Sequence, residues 1–321
     1  MTVPAVLALA VGLTVTAPVW IVVGAIADVV QLRWRLPIVR LLSFGVCWAW
    51  LEVGGVATFV ALWLTGRGRD ARRLYALERW WVANLLGAMG ATCGIRLETD
   101  AATALSPGPV LLFVRHASLA DSLVTAHVVL TLADMQTRFV LKRELLIDPC
   151  LDIVGYRLPN HFLNRDATDS APELSALRGL VVGMGSRDAG IIFPEGTRAN
   201  SSKRSSALAR IGAREPERAS RVAGLKHLLP PRPSGALAMA QGALDVDVVL
   251  AWHVGFEGLD TFGGILRALA RRPEPIRFVA RRFPSTVVPR DEHFVDWLDA
   301  EWLRMDAEVD QALAERRTAR N

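Results

Sequence analysis

Residues 5–27 contain no charged side chain, and a run of that length can cross the hydrocarbon core of a bilayer. Residues 41–64 repeat the pattern with one interruption, Glu52. Two such runs in succession are unusual outside membranes, so residues 1–66 are expected to form an N-terminal membrane-embedded helical pair. Two buried helices of a soluble core are the alternative. No Lys or Arg precedes the first run, which argues against a secretory signal. Arg33, Arg35 and Arg40 lie in the link, and Arg67, Arg69, Arg72 and Arg73 follow the second run. Both flanks are basic, so charge selects neither two full spans nor a hairpin dipping into one leaflet.

The apolar runs raise the mean hydropathy to +0.28, yet the chain carries a net charge of +5. A basic protein with apolar N-terminal segments suggests an anionic membrane surface or a phosphate-bearing ligand. Nucleic acid is not an expected partner, because the most basic stretches, 203–232 and 271–290, have almost no aromatics for base stacking. Cys47, Cys93 and Cys150 are scattered, with no metal-ligand spacing and no disulfide framework. No metal is expected.

Residues 67–321 read as one α/β domain ending in an amphipathic helix. Residues 70–89 place Leu74, Leu77, Trp81, Leu85 and Met89 on one helical face. Strands are expected at 95–98, 110–114, 138–141, 190–193, 246–252 and 276–280, with helices over 119–132 and 172–184. Residues 142–166 read as irregular, and residues 199–235, rich in Ser, Arg and Pro, as a long loop. In the tail, 291–317, Phe294, Leu298, Trp302, Met305, Val309 and Leu313 recur every three or four residues, a docking stripe. Strands alternating with helices predict a central mixed β-sheet flanked by helices and preceded by two membrane-associated helices.

Three features carry chemistry, the first two of them at predicted strand ends. His116 follows the strand ending at Val114 and stands five residues before Asp121. Residues i and i+5 are about 140° apart on a helix, so His116 must precede the helix and fold back over its first turn. Asp121 then either orients the imidazole, leaving the other nitrogen free to take a proton, or helps cap the helix. The second feature, Phe193 to Arg198, reads FPEGTR. Gly196 permits close backbone approach, Thr197 offers a hydroxyl, and Arg198 a fork suited to phosphate. Glu195 would repel an anion and is expected to brace the turn through backbone N–H groups. The third feature, HFLNRD, contains Phe162 and Arg165, the latter a further candidate phosphate contact.

In this order, His116/Asp121, Phe162-Leu163-Asn164-Arg165 and Phe193 to Arg198 resemble the blocks of the glycerolipid acyltransferase family, of the lysophosphatidic acid or lysophospholipid acyltransferase type. The resemblance covers roughly residues 95–255. The stretch LKHLLPPRPSG, with Leu228-Leu229-Pro230 and Arg232, also looks like a block of one subgroup. Arg115 departs from the pattern, standing where the family often has Asn. Asn160-His161 stand where the second block usually has Gly shortly before its Phe. The resemblance implies transfer of an acyl group from acyl-CoA, or acyl carrier protein, to a lysophospholipid hydroxyl. His116 would be the general base and Asp121 its orienting carboxylate. Phe162, Arg165, Glu195, Gly196, Thr197 and Arg198 would bind substrate. It requires no resident cofactor, and the lipid substrates agree with a membrane location, with the catalytic domain on the cytoplasmic side. A lipid hydrolase or transacylase and a non-catalytic lipid-binding protein are the rival readings, and no oligomeric state is implied.

Overall fold

The first apolar run breaks into two helices instead of forming one, a correction to the expected simple pair. In the computed structural model, which describes residues 2–118, 120–163, 171–257, 259 and 262–320, α1 (Val3–Val15) and α2 (Ala17–Val30) meet at 68°. The cause is Pro18, which has no N–H to donate and whose ring clashes with the carbonyl four residues back. Carbonyls beside the break take side-chain donors. The Trp20 indole N–H reaches Leu13 O at 2.7 Å, and the Thr16 hydroxyl reaches Gly12 O at 2.6 Å. The second run is one helix, α3 (Pro37–Leu64), and by length and composition it could cross a membrane. Val15, Val19, Val23, Ile26, Val30 and Trp63 leave a broad apolar surface on this N-terminal unit. Surfaces of that kind mark protein or membrane contacts.

Glu52, the one charge of the second run, has no exposed surface. It accepts the Trp81 indole N–H at 2.9 Å and the Cys150 backbone N–H at 3.2 Å. Nearer the start of α3, Arg40 donates to Thr92 O at 2.8 Å. The apolar helix is therefore fastened to α4 (Ala71–Ala88) and to the segments beyond it. The Asp70 side chain caps α4, and Leu74, Leu77 and Leu85 are buried along the face read from the sequence.

Among the described residues seven strands form one sheet: β1 (Leu97–Thr99), β2 (Val110–Val114), β3 (Gln136–Lys142), β4 (His161–Leu163), β5 (Asp188–Ile192), β6 (Asp247–Val254) and β7 (Ile276–Phe283). Their order is β1-β7-β6-β2-β5-β3-β4, and only β6 and β7 run antiparallel. The mixed sheet agrees with the expectation. Its central strand β2 is completely buried because both faces are covered. Val110, Leu112 and Val114 pack on one side with α4 and with residues of α6 (Asp121–His127). Leu111 and Phe113 pack on the other with residues of α8 (Ala171–Val181), α11 (Pro233–Gly242) and α13 (Phe294–Arg320). Between these lie α5 (Ala102–Leu105), α7 (Pro149–Gly155), α9 (Ser201–Gly212), α10 (Pro216–Val222) and α12 (Phe262–Leu269).

Two stretches are more regular than their composition suggested. The presumed loop 199–235 contains α9, α10 and the start of α11. The Asn200 side chain caps α9 by accepting Lys203 N at 2.8 Å. In α10 the buried Arg218 reaches Asp299 of α13 through Nε at 2.8 Å and Nη2 at 3.0 Å, so a residue of the presumed loop is a tertiary tie. The irregular stretch 142–166 holds α7 and β4, the latter formed by pairing with β3. Tertiary pairing decided this segment, since three residues carry too little pattern to announce a strand. The helix expected over 119–132 starts at Asp121 and changes to a π-helical turn at Val128–Leu132.

In α13, Phe294, Leu298, Trp302, Met305 and Val309 are all buried, which makes the predicted stripe a docking face. On the same helix Asp306 accepts three backbone N–H groups, from Lys226, His227 and Leu228, at 2.7–2.8 Å. Asp306→Ala leaves those donors without their acceptor. It is expected to destabilise the fold by about 2–4 kcal/mol in urea denaturation monitored by circular dichroism.

Candidate active site

The C-terminal ends of β2, β5 and β6 lie side by side, and the loops leaving them make the site, as is usual at the carboxyl edge of open α/β sheets. After β2 the chain turns sharply. Arg115 N donates to Ala251 O at 2.9 Å and Ala199 N to His116 O at 2.8 Å, which straps this turn to β6 and to the β5 turn. His116 precedes α6 and folds back over it, as the spacing required, with Nδ1 2.8 Å from Asp121 Oδ2. The same oxygen accepts Ala117 N at 2.6 Å and Ser118 N at 2.8 Å, and Oδ1 accepts the Ser118 hydroxyl at 2.5 Å. Asp121 thus does both things the sequence left open. It orients the imidazole and holds the turn that begins the helix.

Asp121 has no exposed surface. Burial pushes its pKa up, but the adjoining His253 and the hydrogen bond from His116 outweigh burial and hold the carboxyl well below its usual range. It is therefore an acceptor at neutral pH. With Nδ1 committed to that acceptor, Nε2 of His116 makes no hydrogen bond among the described residues and can take a proton. The ring rests 4.9 Å from that of Phe193.

The β5 turn is built around Glu195, which is 1% exposed. One oxygen accepts His116 N at 2.8 Å and the other Leu229 N at 2.9 Å, the bracing role argued from its charge. Gly196 has φ +69°, and a Cβ there would lie 3.2–3.4 Å from the Arg232 side chain, so glycine is needed on both counts. Thr197 accepts Lys203 Nζ at 3.1 Å, and Lys203 also reaches Arg198 O at 3.3 Å. Arg198, Lys203 and Arg232 thereby collect positive charge beside the dyad. Lys203 was hidden from sequence reasoning because its helix read as loop.

Phe162 lies apart from this group. It sits on β4, with β3 between it and β5, and packs 4.8 Å from the Tyr156 ring. Arg165 lies outside the described residues. The residue that sequence reasoning missed altogether is His253, near the end of β6, with Nε2 3.1 Å from Asp121 Oδ1. The only available signal was a lone His inside an apolar strand. Arg115, the departure from the family pattern, is 4% exposed and donates to the carbonyl of that same His253 at 2.5 Å.

Ser118, Ser122 and Leu123, flanking and opening α6, also line a cavity of about 1090 Å³. It runs between α3, α4 and α12 past Phe44, Trp48 and Leu85, and its wall is mostly apolar. The site therefore joins an imidazole open at Nε2, a cationic turn and an apolar chamber.

Burial pushes the Glu195 carboxyl up to about 8, against the two backbone donors and the charge of Arg115. Between its ordinary value of 4.5 and about 8, the folded protein retains a proton that the unfolded chain has lost. Stability should therefore fall as pH rises through that window, by up to about 1.4 kcal/mol per pH unit. In urea titrations at several pH values, Glu195→Gln is expected to flatten this dependence.

A family model described as Acyltransferase matches residues 96–253, a span that contains every block described above. Among solved structures, the chain is similar to the 1-acyl-sn-glycerophosphate (LPA) acyltransferase, PlsC, from Thermotoga maritima. The TM-score is 0.54 at 14% identity, covering 87% of this chain and 98% of that one, which establishes likeness of fold. No curated protein matches the chain. The Acyltransferase model thus runs from β1 into β6, over the same strands and turns whose blocks resemble the glycerolipid acyltransferase family.

Proposed function

We propose that the protein moves a fatty acyl group from a thioester donor, acyl-CoA, to the free hydroxyl of lysophosphatidic acid, making phosphatidic acid. The observation that carries this is the His116 imidazole, locked through Nδ1 at 2.8 Å and open at Nε2, beside both a cationic turn and an apolar cavity. A hydroxyl is a weak nucleophile at neutral pH. As its oxygen attacks the thioester carbonyl carbon, its proton passes to Nε2 of His116, and Asp121 stabilises the imidazolium. When the tetrahedral intermediate collapses, the carbon–sulfur bond breaks and the imidazolium proton goes to the departing thiolate. His116 is then neutral again, and neither a covalent acyl-enzyme nor a nucleophilic side chain is needed.

Arg198, Lys203 and Arg232 are suited to the acceptor's phosphate, and Glu195 and Gly196 hold the turn that carries Thr197 and Arg198. Positioning of this kind accounts for a large part of many rate enhancements. The cavity is suited to a fatty acyl chain, which would bring its thioester carbonyl to the Ser118 end. The apolar surfaces of α1, α2 and α3 suit a protein whose acceptor and product reside in a bilayer. α3 could form one span, and the bent α1–α2 pair a second span or a re-entrant loop.

The test is an assay of the purified full chain in detergent with radiolabelled acyl-CoA, with and without lysophosphatidic acid. Acceptor-dependent diacyl product is expected, and His116→Ala should lower turnover at least ~10²-fold. Free fatty acid as the sole product would identify a hydrolase, and unchanged turnover in His116→Ala would sink the mechanism. Parallel reactions with acyl carrier protein thioesters and with lysophospholipids of larger headgroup identify donor and acceptor. Leu123→Trp narrows the cavity and is expected to shift the preference in a chain-length series toward shorter acyl donors.

A further inference from the structure

We propose that His253 is a positioning residue for the catalytic dyad: it faces Asp121 from the side opposite His116 and sets how strongly that carboxylate pulls on His116. The inference rests on the general-base role of His116. It adds a residue that lies in none of the sequence blocks described above.

His253 has no exposed surface. Its Nε2 is 3.1 Å from Asp121 Oδ1, while His116 holds Oδ2 at 2.8 Å, so the two imidazoles face the two oxygens of one carboxylate. The ring is held by its neighbours. It lies edge-on to Phe256 at 5.5 Å and stacks on Phe278 at 6.3 Å. Its backbone is held as well, because its carbonyl accepts Arg115 Nη1, whose guanidinium also lies 3.6 Å from Glu257. The titratable and charged groups around it are Asp121 at the head of α6, His116 and Arg115 in the β2 turn, Glu257 after β6, and Glu195 in the β5 turn.

A lone pair on Nε2 would face a carboxylate oxygen, so that nitrogen turns its N–H toward Asp121. Neither ring nitrogen meets full hydrogen-bond geometry among the described residues, so the 3.1 Å approach of Nε2 to Asp121 Oδ1 acts electrostatically. A donor on Oδ1 draws charge away from Oδ2, and His116 Nδ1 feels less of it. Removing that donor concentrates the charge on Oδ2, stabilises the His116 imidazolium and raises the pH at which His116 becomes a competent base.

The experiment compares His253→Phe, which keeps the ring volume without a donor, with His253→Gln, whose side-chain amide reaches about as far as Nε2. In His253→Phe the acid limb of the kcat/KM profile is expected to move up by about half a pH unit or more. Its kcat should fall roughly tenfold, with KM for both substrates within about twofold. His253→Gln should restore the limb. A wild-type limb and kcat in His253→Phe would overturn the proposal, as would equal shifts in the two variants. A measurement on the unaltered protein holds whether or not the Phe variant folds. In ¹⁵N-histidine spectra, Nε2 of His253 should carry a proton at neutral pH. An Nδ1–H tautomer with bare Nε2 would refute it. Retained activity in His116→Ala would defeat the general-base reading alone, because the same spectra report the His116 pKa in the His253 variants without turnover.

Discussion

A carboxylate removed from water needs donors around it, and the active end of this protein is organised by meeting that need at Asp121. The backbone of Ala117 and Ser118, the Ser118 hydroxyl and the His116 ring all donate to it, while His253 approaches its second oxygen. Each contact fixes something different. The two N–H groups set the turn between β2 and α6. His116 gains one tautomer and one orientation. His253 ties β6 to the same point. One buried charge thus joins a turn, a helix start and a neighbouring strand, and leaves Nε2 of His116 unbonded among the described residues.

Glu195 extends this arrangement across the sheet edge. It takes one N–H from His116 and one from Leu229, so the β2 turn, the β5 turn and the segment before α11 share a single side chain. The segment ending at Leu229 is held in turn by Asp306 of α13, which accepts the three preceding N–H groups. A tail helix far from the chemistry is therefore connected through two buried acids to the backbone of His116. Buried acids serve here as fasteners of irregular backbone, which otherwise would leave donors unpaired.

The N-terminal unit is joined to the rest of the fold by polar contacts at its apolar face. Glu52 and Arg40 on α3 fasten it to α4, to the segment after α4 and to α7. The cavity that starts beside the dyad is walled partly by this same helix. One apolar chamber is thus shared between a candidate membrane span and the helices that cover the sheet.

Local chemistry was legible in the sequence. The uninterrupted apolar run of β2 matched its bounds, the stripe on α13 proved to be its buried face, and the five-residue spacing of His116 and Asp121 required the fold-back that the structure contains. The FPEGTR turn likewise fell at a strand end, because Pro, Gly and a buried acid act over a few residues. Pro18 was visible too, and its break in the first apolar run could have been foreseen. Tertiary structure alone decided that β4 exists, since it is formed by its partner, and that 199–235 is helical, since Arg218 finds Asp299 only when α10 meets α13. It alone set His253 against Asp121 and let Arg115 grip the carbonyl of that histidine. Spacing and periodicity report what a residue does to its own segment. Which distant segment supplies the other half of a hydrogen bond depends on strand order and packing, and no local pattern carries that.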